Sequence, residues 1–206
     1  MTQVTPIRDI KGYPDLEQVE RAIDCAANLR DKLAVRILSR TGMRVSELNS
    51  LTIPDIDYEN RALTIKVQKK RRRDGKTQER RRIVPVDKGT LDMIKEYLEW
   101  RKQFGYKGDL LFPISRQRIN QIFWKLAKKA GIEEIGDPAV SKYRKFHPHH
   151  LRHFFAIYCI KRGMSIDRLQ KILGHSSPTT TSVYLQYSIS DLHEDYDKIW
   201  EDGANK

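Results

Sequence analysis

Five residues scattered along the 206-residue chain hold its most pointed chemistry: Arg44, His149, Arg152, His175 and Tyr184. Arginine presents a planar fork that binds two oxygens of a phosphate at once. Histidine gives and takes protons near neutral pH. A tyrosine hydroxyl can attack phosphorus and hold it as a covalent ester. Together they are the inventory for cutting a phosphodiester without a metal ion.

Their neighbours sharpen the reading. Thr41-Gly42-Met43-Arg44-Val45-Ser46-Glu47-Leu48 reads as a helix ending at Gly42 and another starting at Arg44. Free N–H groups and the helix dipole favour an anion at such a start. Glu47, one turn on, is placed to steady the Arg44 guanidinium. Pro148-His149-His150-Leu151-Arg152-His153 puts His149 and Arg152 three apart, on one helix face. His149 and His153 also have the spacing of a zinc pair. Neither a zinc-protease glutamate nor a nearby cysteine pair accompanies them, so no metal is expected. His147, His150 and His153 read as structural or solvent-facing. Leu173-Gly174-His175 closes a helix with glycine and sets a histidine just beyond it. Tyr184 follows nine residues later, with Tyr187 as its neighbouring competitor.

The elements that must position these residues are mostly helices. Asp15 is a helix N-cap before Leu16, Val19, Ile23 and Ala26 on one face. A second helix runs from about Asp31 to Thr41, and a short one carries Arg44 to Ser50. Leu63, Ile65 and Val67 alternate with polar residues, as in a strand. Asp74-Gly75 signals a turn, and Arg82 to Val86 form the returning strand. Helices are expected again after Asp87, from about Ser115 to Ala130, from His149 to Gly163 and from Ser165 to Leu173. The fold class is mainly α with a small antiparallel β-sheet. Residues 1–13 are a lead-in, 14–189 one domain, and 190–206 a tail helix. The tail is acidic through Asp191, Glu194, Asp195, Asp197, Glu201 and Asp202, with Leu192, Tyr196 and Ile199 on one stripe.

Lys and Arg number 39 against 27 Asp and Glu, a net charge of +12. That sign favours a polyanionic partner, most simply nucleic acid. Cys25 and Cys159 lie in apolar helical surroundings and read as buried thiols of a reducing, cytoplasmic compartment. No apolar run is long enough for a membrane span, and no signal-peptide pattern opens the chain.

In order and spacing, these segments resemble the catalytic domain of tyrosine recombinases, the phage integrases and Xer recombinases, over about residues 14 to 190. The Arg44 segment looks like the family's first arginine box, His149-His150-Leu151-Arg152-His153 like its His-x-x-Arg box, and Leu173-Gly174-His175 with Tyr184 like its last basic residue and nucleophile. The resemblance implies a small three-stranded sheet, two strands of which form the hairpin. It implies double-stranded DNA as substrate, no cofactor, and self-association on DNA as dimer or tetramer. It also implies a catalytic lysine on the hairpin. Lys69 and Lys70 compete for that role from opposite strand faces, with Lys69 preferred by its spacing from Arg44 and Lys76 a distant third. Lys70, Arg71, Arg72, Arg73, Lys76, Arg80, Arg81 and Arg82 are then DNA-phosphate contacts. The resemblance implies that the acidic tail docks on a neighbouring protomer; its amphipathic stripe reads equally as a helix packed on its own domain.

The hairpin turn is longer and more basic than usual for the family. The chain also begins almost at the first catalytic helix, where most relatives carry a separate core-binding domain. Without that second half of a clamp, DNA binding should be weaker and less specific. Two other functions share the fold: type IB topoisomerase-like relaxation of DNA, and DNA binding without chemistry.

Overall fold

The computed structural model describes residues 13–67, 80–132, 134–135, 144–175 and 181. The Asp74-Gly75 turn and the tail from Ser190 lie outside the described residues.

Capping chemistry sets the helix starts. Helix α1 (Leu16–Asp24) opens on a capping box, in which Gln18 N–H donates to Asp15 at 2.7 Å and Asp15 N–H to the Gln18 side chain at 2.9 Å. It buries Val19, Ala22 and Ile23, whose spacing makes one inward stripe. Helix α2 (Leu29–Thr41) is capped by Asn28 and starts two residues earlier than its apolar pattern indicates. Leu33, Ala34, Val35, Ile37 and Leu38 are all buried. Burial on so many sides makes α2 the central helix, packed against α1, α4 and α6.

Helix α3 (Val45–Ser50) follows the α2 end directly, with Arg44 as its N-cap residue. A 3-10 turn then leads to strands β1 (Ile56–Asp57), β2 (Ala62–Val67) and β3 (Arg80–Pro85), an antiparallel sheet in that order. Leu63 pairs with Ile56 on one side and Val84 on the other. Helix α4 (Lys88–Gln103) starts at Asp87, which accepts from Thr90 N–H at 3.0 Å. Helix α5 (Arg116–Ala130) runs from its Ser115 cap to Gly131 and buries Ile119, Ile122, Phe123 and Leu126. Strands β4 (Glu134–Ile135) and β5 (Arg144–Lys145) form a second, two-stranded sheet that sequence reading did not anticipate. Helix α6 (Pro148–Lys161) and helix α7 (Ile166–Leu173) complete the described elements. Cys25 and Cys159 are free thiols but only partly buried, less enclosed than their apolar surroundings imply. Among the described residues no helix is long and apolar enough to cross a membrane.

Two glycines fix how closely these elements approach. Gly42 ends α2 at φ +62°, where a Cβ would stand 2.4 Å from the Phe155 ring of α6 and 2.8 Å from Leu173 of α7. Gly174 ends α7 at φ +67°, where a Cβ would stand 2.9 Å from the Arg82 side chain. Both positions need the left-handed region and the missing side chain. The first lets α2 meet α6, and the second lets α7 meet β3.

Candidate active site

Arg152 sits at the first of these meeting points. It is 1% exposed, and its guanidinium donates to the carbonyls of Gly42 at 2.6 Å and Leu173 at 2.8 Å. One side chain from α6 therefore ties the ends of α2 and α7 together. Spending hydrogen bonds on two helix-end carbonyls satisfies acceptors that a helix terminus leaves open. It also fixes the cation in a single orientation, as a preorganised electrostatic site requires.

The second point is a charge network. Arg82 donates through both terminal nitrogens to the two Glu47 oxygens, at 2.7 and 2.8 Å, and through Nε to the Ile172 carbonyl at 2.7 Å. Glu47 also accepts from the Arg44 main-chain N–H at 2.7 Å and from its guanidinium at 3.2 Å. Burial alone would raise the Glu47 pKa, but the hydrogen bonds and charge of Arg82, followed by those of Arg44, bring it below the ordinary carboxylate value. Arg44 is thus held by a carboxylate that is itself held from behind, and its own side chain stays 42% exposed. The expected Arg44–Glu47 pair is present, and Arg82 anchors it.

That placement corrects one expectation. Arg82 was assigned to DNA phosphate with the other hairpin cations, yet its side chain is 8% exposed and committed to Glu47 and Ile172. The alternation of β3 explains it. Arg82 and Val84 face inward and Arg81 and Ile83 face out, while Arg80 is exposed at the start of the strand. Val84 two residues on was the sequence signal, because residues i and i+2 share a strand face.

The histidines complete the cluster. His147 caps α6, its Nδ1 accepting from His149 N–H at 3.2 Å, while its own N–H donates to Nδ1 of the buried His150 at 3.1 Å. These two are structural, as expected. His149 is exposed at the start of α6, yet lost hydration around its ring, with the charges of Arg152, His147 and Arg44, lowers it to about 4. His175, just past the α7 cap, is lowered to about 4 by burial and by Arg152, Arg44, Arg82 and His149. Both rings feel Arg152 and Arg44, and His175 also feels His149. Four distant residues have become one electrostatic unit, with both imidazoles neutral at pH 7 and ready to receive an anion. Nδ1 of His175 lies 2.8 Å from the Thr181 hydroxyl.

A cleft of about 430 Å³ opens beside Arg44 and His149, lined also by Ser46 and His147 and by Arg116 and Asn120 of α5. Arg116 and Asn120 were not singled out from the sequence. Their one signal was an exposed, basic first turn on an otherwise amphipathic helix. Among the described residues no group of His, Cys, Asp and Glu is arranged to hold a metal. Lys69, Lys70, Arg71, Arg72, Arg73, Lys76, Tyr184 and Tyr187 lie outside the described residues. Arg80 and Arg81 are exposed on β3.

The match to known proteins covers the same region. The model of the phage integrase family matches residues 14–190. Tyrosine recombinase XerA of Saccharolobus solfataricus is 29% identical over 199 residues, covering 97% of this chain and 60% of that protein. The chain therefore spans about three fifths of that relative's length. A crystal structure of XerA recombinase matches with a TM-score of 0.73 and 30% identity, over 90% of this chain and 64% of that one. The Tn1549 transposon integrase, in complex with circular intermediate DNA, matches with a TM-score of 0.64 and 26% identity, over 84% of this chain and 60% of that one. Shared sequence and a shared mostly helical fold with a small three-stranded sheet converge on one conclusion: the chain belongs to the phage integrase family, the tyrosine recombinases.

Proposed function

We propose that this chain is a DNA strand transferase that cuts and rejoins duplex DNA through a covalent 3′-phosphotyrosine. The observation that carries the reading is the convergence of Arg44, His149, Arg152 and His175 into one electrostatic unit beside an open cleft. Arg44 and Arg152 neutralise the charge that grows on the non-bridging oxygens of the scissile phosphate. Tyr184 attacks phosphorus, forming the phosphotyrosine ester and breaking the bond to the 5′ oxygen. His149, neutral before the phosphate arrives, takes the tyrosine proton. His175 donates a hydrogen bond to a non-bridging oxygen. Lys69, or Lys70 in its place, gives a proton to the departing 5′ oxygen. Attack by a 5′-hydroxyl reverses the sequence and reseals a strand, so neither ATP nor a metal ion enters the balance.

The partners proposed are duplex DNA and further copies of the chain assembled on it, with residues 190–206 docking between copies. A net charge of +12 and the exposed Arg80 and Arg81 support the DNA partner.

The test is covalent trapping on nicked suicide DNA in the presence of EDTA, comparing the unaltered protein with Tyr184→Phe and Tyr187→Phe. A denaturation-resistant adduct lost only in Tyr184→Phe is expected. Tight DNA binding with no adduct would leave a binding protein and overturn the proposal.

A further inference from the structure

The short contact between His175 and Thr181 plays no part in the chemistry just described. Thr181 is fully buried, and among the described residues its only side-chain hydrogen bond is to Nδ1 of His175, at 2.8 Å. A buried hydroxyl must place its proton on an acceptor. If Nδ1 carried the hydrogen, the ring would be the donor and the threonine proton would need a second acceptor. None is present among the described residues. The arrangement that leaves no proton stranded has the hydroxyl donating to a bare Nδ1. A neutral imidazole carries one N–H, so its hydrogen then sits on Nε2.

We infer that Thr181 is a positioning residue: its hydroxyl fixes His175 in the Nε2–H tautomer and so aims the ring's one N–H at the phosphate. The catalytic half of this inference rests on the strand-transfer reading above. His175 needs such a partner because burial and the charges of Arg152 and Arg44 keep its ring neutral, at about 4. A charged imidazolium would donate from both nitrogens, whereas a neutral ring donates from one side only. The wrong tautomer would turn a lone pair toward the phosphate oxygen and replace attraction with repulsion. The same division is visible in His147 and His150, whose Nδ1 atoms also accept hydrogen bonds. In sequence Thr181 lies three residues before Tyr184, so the bond also ties His175 to the segment that carries the nucleophile.

The deciding measurement is long-range ¹H–¹⁵N correlation of the imidazole rings at pH 7.5 on the full ¹⁵N-histidine-labelled chain, with His175 assigned by its loss in His175→Asn. The unaltered protein should show an unprotonated Nδ1 and a protonated Nε2 for His175. Thr181→Ser should keep that pattern, and Thr181→Val, which fills the same space without a hydroxyl, should give mixed or reversed tautomers. A protonated Nδ1 in the unaltered protein would overturn the inference with no variant needed. So would an unchanged tautomer in Thr181→Val. On suicide DNA at saturation, Thr181→Val should slow adduct formation about tenfold, the order of one lost hydrogen bond. DNA affinity should hold, and Thr181→Ser should restore the rate. If the unaltered protein makes no adduct, strand transfer fails while the ring measurement still stands. If it makes adduct and the tautomer is wrong, only the role of Thr181 falls.

Discussion

Arg101 and Arg152 are both buried arginines, 3% and 1% exposed, and both donate to main-chain carbonyls. Arg101 reaches Leu110 at 2.6 Å, Leu111 at 3.2 Å and Gly108 at 3.3 Å, closing the loop after α4. Aromatic rings surround it, with Tyr97 and Tyr106 each 5.9 Å from its guanidinium carbon and Trp100 stacked on both. Arg152 makes the same kind of bond to Gly42 and Leu173, but it stands close enough to His149 and His175, with Arg44, to lower both rings. The first corner neutralises nothing and holds a loop. The second collects positive charge beside a cleft. A buried arginine is therefore no sign of chemistry by itself. What it is packed against decides: tyrosine rings surround Arg101, whereas the histidines that exchange protons near neutral pH gather around Arg152.

The largest expected break in this comparison is Glu47→Ala. No carboxylate serves Arg101 among the described residues, whereas Glu47 is the counter-charge behind the site. Its loss leaves Arg82 buried and unpaired, which should cost about 3–5 kcal/mol in urea unfolding. Adding Arg82→Met should recover most of that. A cost below about 1 kcal/mol would mean that water reaches the pair and the corner is not held by it.

Replacing each arginine by lysine is next in size. A lysine cannot span two carbonyls with the arginine fork, so Arg101→Lys and Arg152→Lys should each lose about 1–3 kcal/mol. Only Arg152→Lys should also slow adduct formation per folded molecule, by about 10²–10³-fold. Equal slowing in both would erase the distinction between the two corners.

Much of this was legible in the sequence. Asp15, Asp87 and Ser115 announced helix starts because capping is local chemistry, and apolar spacing gave the buried faces of α4 and α5. Through Val19 and Ile23 it gave part of that of α1, where Leu16 is exposed and Ala26 lies past the helix end. The two-residue strands β1, β4 and β5 were not legible from their residues, since so short a run has no period. Arg44 and Glu47 were found together because they are neighbours on one helix. Arg82 was misread because charge in a basic hairpin suggests solvent, and its partners lie 35 and 90 residues away. Thr181 was passed over inside a run of serines and threonines, where nothing local marks one hydroxyl as buried.

The smallest effect concerns pH, and the two corners should fail at opposite ends of the scale. His149 and His175 are lowered from 6.5 to about 4, so their contribution is complete above 6.5 and is lost as pH falls toward 4. Glu47, also lowered, adds to the acid loss below its ordinary 4.5. Tyr97, raised by burial beside Arg101, keeps its contribution below its ordinary 10 and loses it as pH rises further. Stability against pH should therefore show an acid limb flattened by His149→Asn with His175→Asn, and an alkaline limb flattened by Tyr97→Phe. If the histidine pair altered the alkaline limb instead, the assignment of charge to the two corners would be wrong.

The clasp of Arg152 on Gly42 joins residues 110 apart, and Arg82 reaches Ile172 across 90. A ribosome makes the chain from its amino end, so Arg44 emerges long before Arg152 and His175. Contacts between such distant partners also close slowly, because the loop entropy must be met first. During synthesis the polypeptide acquires the exposed arginines of β3 before it possesses Arg152 and His175. The electrostatic cluster is thus deferred until the last third of the molecule exists to complete it.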